Sequence, residues 1–232
     1  MFRAVAARGN YLGQGRMDIQ FAAKETSRFT SKPEEQDWKS AKRLARYLKD
    51  NERMVTVYNF QRLPEKVVAW SDTDFAGCKR TRRSTSGGVV MFRNRCVKTY
   101  SQTQETIALS SGESEFYGIA KAAAMGLGVK GLMEDLGVGV EVQVNTDSSA
   151  AKSITARRGA GRVRHIEVRE LWVQDRVAKG ELKIVKVKGE ENVADGLTKH
   201  VGRQKMEQYM EACGMVRRSG RHELSPQLGD SV

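Results

Sequence analysis

The chain is short of cysteine: its three, Cys78, Cys96 and Cys213, show neither paired spacing nor a zinc-like cluster. That excludes a disulfide framework and points to a reducing compartment with free thiols. No apolar run is long enough to span a bilayer, and the start, Met-Phe-Arg-Ala-Val-Ala-Ala-Arg, lacks a hydrophobic signal core. Neither membrane insertion nor secretion is therefore expected. Internal repeats are absent too. Negative charge is in deficit: 40 Lys and Arg stand against 28 Asp and Glu, a formal charge of +12. A balance of that sign favours a polyanionic partner such as nucleic acid.

The length is enough for one or two domains, since 232 residues exceed the usual span of about 100 to 200 for a single one. The first sixty residues read as helical. Ala41, Leu44, Ala45 and Leu48 mark one helix face within Ser40–Leu48, and 17–29 supports a second helix before it. This block is too short for a convincing core, so it either packs on the remainder of the chain or is the tail of a larger domain. Pro64 marks a change of grammar. Lys66-Val-Val-Ala-Trp-Ser71 is a buried strand, 84–92 a second and 96–102 a third, with a turn at Asn94 and Arg95. A long Ala-rich helix is expected over 110–136, opened by Ser110, Ser111 and Glu113. A strand is expected over 141–147, a helix over 148–156, another over 165–179, a strand over 181–188 and a helix over 192–199. Short turns make the first three strands an antiparallel meander; the later strands, separated by helices, should be parallel. The fold class is α/β: a mixed five-stranded sheet with helices on its faces, preceded by a small helical segment. Residues after about Arg217 read as a disordered basic tail.

Four acids fall at boundaries of this pattern. Asp72 and Asp147 end two strands that the crossover helix should place side by side; Glu115 lies near the start of that helix, and Asp195 starts the last one. Gathered at one sheet end they would repel by several kcal/mol unless cations neutralised them, so the group makes sense chiefly as a hard-cation site. Oxygen ligands favour Mg²⁺, with Mn²⁺ as the alternative, and the lack of a His/Cys set argues against zinc.

Six blocks resemble one family in order and register: Ser71-Asp-Thr-Asp-Phe-Ala-Gly77, Arg83-Ser-Thr-Ser-Gly-Gly88, Leu109-Ser-Ser-Gly-Glu-Ser-Glu-Phe-Tyr117, Asn145-Thr-Asp-Ser-Ser-Ala150, Arg164-His-Ile-Glu167 and Asn192-Val-Ala-Asp-Gly-Leu-Thr-Lys199. They are similar to the ribonuclease H domain of copia-type retrotransposon Pol polyproteins. Met17-Asp-Ile-Gln-Phe21 and Lys42-Arg-Leu-Ala-Arg-Tyr-Leu48 are similar to the reverse-transcriptase segment that precedes that domain. The polymerase's paired-aspartate motif is missing, so DNA synthesis is not expected.

The resemblance implies a ribonuclease H-like sheet and a metal-dependent endonuclease that hydrolyses the RNA strand of RNA–DNA hybrids. It implies two Mg²⁺ ions, a polymerase portion of the same polyprotein as partner, and an intracellular location in a virus-like particle or the nucleus. The division expected is a thumb- or connection-like helical segment over 1–62, the ribonuclease H-like domain over 63–200, and a short helix with a basic tail over 201–232. The metal-binding, catalytic acids carried over are Asp72, Glu115, Asp147 and Asp195, with Glu113 and Asp74 as the alternatives. Lys152, Arg157, Arg158, Arg162 and Arg164 are the expected phosphate contacts, and Ser84–Ser86 a candidate for positioning the backbone. Cellular ribonucleases H carry a loop histidine before the last acid. Here that region is Val187-Lys-Gly-Glu-Glu-Asn192, which leaves the proton carrier unassigned; His165 is a candidate, and a capping or packing role is its plainer reading. Two other functions compete: a catalytically inactive or domesticated hybrid-binding remnant, and a strand-transfer nuclease, against which the fourth acid argues.

Overall fold

Strands form where β-branched and apolar residues run together or alternate. A computed structural model describes residues 1–159, 166, 171–220, 222 and 224. Its helices and strands, in order, are α1 (Phe2–Gly13), α2 (Met17–Ser27), α3 (Glu35–Asp50), β1 (Arg53–Thr56), β2 (Lys66–Asp74), β3 (Thr85–Phe92), β4 (Arg95–Thr103), α4 (Ser111–Asp135), β5 (Glu141–Thr146), α5 (Ser149–Thr155), α6 (Trp172–Ala178), β6 (Leu182–Lys186), α7 (Arg203–Ala212) and β7 (Met215–Arg218). β2 to β6 make a five-stranded mixed sheet in the order β4-β3-β2-β5-β6. The meander is antiparallel, and β5 pairs parallel to both β2 and β6. This is the α/β architecture expected from the sequence.

The register of the two central strands sets up the site. Ser71 on β2 lies opposite Thr146 on β5, so the residues one step further, Asp72, still within β2, and Asp147, just past the end of β5, come out at the same rim. A shift of one residue would turn either acid to the other face.

α4 lies across the sheet. The Ser110 hydroxyl caps it by accepting the Glu113 amide at 3.2 Å. Gly118, Ala122 and Gly126, four residues apart, form a buried stripe along one side. At Gly118 an added Cβ would stand 2.6 Å from Thr73 Cγ2 and 2.9 Å from Ser71 Oγ; at Gly126 it would stand 2.8 Å from Val142 Cγ1. Glycine there lets the helix axis settle onto β2 and β5. Phe116, Ile119, Val67, Val142 and Val144 then fill the space between helix and sheet.

The opposite face is covered from both ends of the chain. Met17 on α2 joins Val89 and Met91 of β3, Leu197, and Tyr209, Met210 and Cys213 at α7 in a second apolar cluster. Lys24 donates to Thr85 Oγ1 at 2.8 Å and Gln20 to the Thr99 carbonyl at 3.3 Å, so the N-terminal helices are fixed to the meander by polar bonds as well. β1 and β7 pair antiparallel, Arg53 opposite Arg218, and tie the segment after α3 to the segment after α7. All three cysteines are buried free thiols, and no described helix is long and apolar enough to cross a membrane.

Three expectations are corrected. The helix expected over 192–199 is instead a pair of short 3₁₀ turns, Gly189–Glu191 and Asp195–Leu197. Between them Asn192 is extended, its Nδ2 donating to the Ser71 carbonyl at 3.0 Å and its Oδ1 accepting the Ala194 amide at 3.2 Å. A side chain that bonds local backbone competes with helix formation. The helix expected over 165–179 is α6, Trp172–Ala178, with 160–165 and 167–170 outside the described residues. The β1–β7 ribbon has no counterpart in the sequence reading, and it puts residues 215–218 into a strand where the polar tail is expected to begin.

Gly118→Val is expected to lower stability by about 1–3 kcal/mol, the usual cost of forcing atoms into a filled interior. Urea unfolding checks it; a midpoint equal to wild type would show that α4 does not need this close approach.

Candidate metal centre

Asp72, Glu115 and Asp147 converge. Each offers a carboxylate oxygen, and these oxygens all lie within 4.8 Å of one another. Asp72 and Asp147 are delivered by the β2–β5 register. Glu115 is delivered by the first turns of α4, one turn before the Gly118 contact.

Burial sets the electrostatics. Asp72 is 3% exposed and accepts the Thr198 hydroxyl at Oδ2. Burial pushes its carboxyl up to about 6; Thr198 opposes the rise, while the charges of Asp195 and Asp147 add to it. Glu115 is pushed up to about 8, first by burial, then by Asp72 and Asp147. Its Oε2 is buried without a hydrogen-bond partner. A buried, unpartnered carboxylate oxygen is costly unless a proton or a cation satisfies it. Three hard oxygen donors with one unsatisfied atom among them fit a divalent cation of the Mg²⁺ type.

The fourth expected acid behaves differently. Asp195 is buried beside Asp72, but its oxygens face Lys199, Lys205 and Tyr209: Nζ of Lys199 is 2.5 Å from Oδ1, Nζ of Lys205 3.2 Å from Oδ2, and the Tyr209 hydroxyl 3.3 Å from Oδ2. It is not one of the three acids that share a single point. Of the two alternatives, Glu113 is fully buried and structural, accepting the Leu109 amide at Oε2 and the Tyr117 hydroxyl at Oε1, both at 2.8 Å. Asp74 lies at the end of β2, with the β2–β3 turn folded against its carboxylate so closely that a Cβ on Gly77 would overlap it.

Of the expected phosphate contacts, Lys152 is exposed on α5, and Arg158 is exposed and Arg157 half-buried in the turn after it. Arg162, Arg164 and His165 lie outside the described residues. Ser84 and Ser86 are buried and bonded internally, Ser84 Oγ accepting the Ala76 amide at 3.0 Å and Ser86 Oγ accepting Gln104 Nε2 at 2.9 Å. They brace the meander rather than face a substrate. Sequence reasoning missed Thr198, Lys199, Lys205 and Tyr209. The first two lie inside the Asn192–Lys199 block and were within reach; nothing in the local sequence marks Lys205 or Tyr209.

No family model matches the chain. It is 30% identical over 202 residues, 86% of its length, to the retrovirus-related Pol polyprotein from transposon TNT 1-94 of Nicotiana tabacum. It is 26% identical over 219 residues, 93% of its length, to that from transposon RE1 of Arabidopsis thaliana. The chain spans 15% of the length of each of these relatives. Among solved structures it is similar to a ribonuclease H1 isolated from compost, at 15% identity and a TM-score of 0.40, over 63% of this chain and 99% of that one.

Both raised carboxyls favour the protonated folded form, so their contribution to stability is complete below the ordinary carboxylate range and is lost as pH rises through about 6 for Asp72 and about 8 for Glu115. In chelator the melting temperature is therefore expected to fall between pH 5 and pH 8, and Glu115→Gln to flatten the upper part of that fall. A calorimetric series checks this; a slope unchanged in the variant would remove Glu115 from the account.

Proposed function

We propose that this chain, whose homologues are retrovirus-related Pol polyproteins of plant transposons, is the ribonuclease H segment of a copia-type polyprotein and hydrolyses the RNA strand of RNA–DNA hybrids. The observation that carries the reading is the convergence of Asp72, Glu115 and Asp147 at one rim of the sheet, with a buried Glu115 oxygen left unsatisfied. Asp72, Glu115, Asp147 and Asp195 hold the cations, the fourth acid from beside Asp72. Two Mg²⁺ ions, with Mn²⁺ as the alternative, supply Lewis acidity and charge compensation for attack of water on a phosphodiester.

The chain's own groups do the rest. Thr198 fixes the rotamer of Asp72 through its hydroxyl. The Asn192 bond to the Ser71 carbonyl ties the turn carrying Asp195 to the strand carrying Asp72. Lys152, Arg157 and Arg158, on and after α5, grip phosphates without reading bases, as a partner recognised by helical shape requires, and Arg162 and Arg164 extend that row in sequence. Residues 1–62 are the thumb- or connection-like segment, 63–200 the nuclease unit and 201–232 its C-terminal extension. The packing of α2 on β4, the Asp195 turn and α7 supports treating the three as one folding unit. The polymerase portion of the same polyprotein is the proposed protein partner, inside the cell.

Purified protein incubated with labelled hybrid, double-stranded RNA and double-stranded DNA, in Mg²⁺ or in chelator, tests the reading. Only the RNA of the hybrid should be cut, and Asp147→Asn should lower the rate by at least about a hundredfold, because the charge compensation at stake is several kcal/mol. Tight binding without cleavage would instead identify an inactive hybrid-binding remnant, and nicking of DNA a strand-transfer nuclease.

A further inference from the structure

Asp195 differs from the other three acids in that its lone pairs already face cations. Lys199 and Lys205 approach its two oxygens at 2.5 and 3.2 Å, and the Tyr209 hydroxyl adds a third contact at 3.3 Å. Two ammonium groups around one carboxylate leave a surplus positive charge. It is directed at the cluster, for the Lys199 ammonium is also within electrostatic reach of Asp72, and Asp74 senses it as well.

The two lysines are not equivalent. Lys205 rises from α7, where its ammonium also lies 5.5 Å from the centre of the Tyr209 ring, so it has a second hold besides Asp195. Lys199 leaves the chain immediately after Thr198, whose hydroxyl is bonded to Asp72, so its backbone is pinned between the two acids while its side chain is 52% exposed. An ammonium on a four-carbon stem, fixed at its root and half in water, can occupy the gap or vacate it.

We infer that Lys199 is a tethered cation that fills the Asp195 side of the acid cluster and must swing out before a second divalent ion binds there. The inference rests on the metal-centre reading. The triad then takes its ion first, with no lysine to displace, and the Asp195 side takes an ion only in competition with Lys199. Lys199 is on this account a positioning residue: it stops Asp195 and Asp72 from repelling one another while the second position is empty of metal.

Titration calorimetry of the full chain, stripped with chelator and titrated with Mg²⁺ and separately with Mn²⁺, tests it through metal binding rather than cleavage. Wild type should show one tighter ion and one weaker. Lys199→Met should strengthen the weaker step by at least about tenfold, a modest share of the interaction between adjacent charges near a protein surface. Lys199→Arg, which keeps the charge, should stay within a few-fold of wild type. In chelator Lys199→Met should melt below wild type and recover the difference in Mg²⁺, which shows as well that the variant folds. A weaker step unchanged in Lys199→Met overturns the tethered cation and leaves the metal centre standing. A wild-type protein that binds no ion, or a first ion that Asp147→Asn does not weaken, overturns the metal centre and the tethered cation with it.

Discussion

The contact on which the rest depends is the approach of α4 to β2. Gly118 has no side chain to hold the helix off, so Thr73 and Ser71 sit where a Cβ would be. That distance decides two things together. It lets Phe116 and Ile119 reach the sheet and bury completely, and it carries Glu115, one turn earlier, to the rim where β2 and β5 release their acids. Packing and electrostatics therefore share one cause: the same closeness that drains water from the core drains it from around Glu115 and Asp72, which makes their charged forms harder to hold.

The acid cluster is in this sense a strained part of the fold. Three carboxylates within one ion's reach, one with an oxygen that bonds to nothing, are held there by apolar packing elsewhere rather than by attraction to each other. Asp195 shows how such repulsion is relieved without metal, through two lysines and a tyrosine. The contrast between the triad and Asp195 is a contrast between charge left open to a ligand and charge covered by neighbouring ammonium groups.

Much of this architecture is legible in the residues alone, for identifiable reasons. β2 declares itself by an apolar, β-branched run, β5 and β6 by alternation, and α4 by alanine content and a Ser110 cap, because local propensity and burial point the same way in these elements. Asp72 and Asp147 stand out because a carboxylate at the end of an apolar strand is a visible break in pattern. The Asp195 turn reads as a helix in sequence, yet the Asn192 side chain draws the backbone into bonds whose acceptor, the Ser71 carbonyl, is 121 residues away. β1 and β7 escape notice because each has only four residues and no alternation. Lys205 and Tyr209 escape because their role is defined by where α7 docks. Long-range pairing leaves little trace in a short window of sequence, whereas burial leaves a strong one.

The β1–β7 ribbon has a bearing on how the chain comes to be folded. Its partners, Arg53 and Arg218, are 165 positions apart in sequence, and contacts of such span close slowly, because chain entropy is lost before the contacts can compensate for it. A growing chain emerging from the ribosome can assemble the meander and α4 while this clasp still waits for its second strand. The N-terminal helices would pass that interval without their final covering, docking on β3 and β4 before α7 arrives to seal the layer. Assembly would thus run from the sheet outward, with the β1–β7 clasp the last to close.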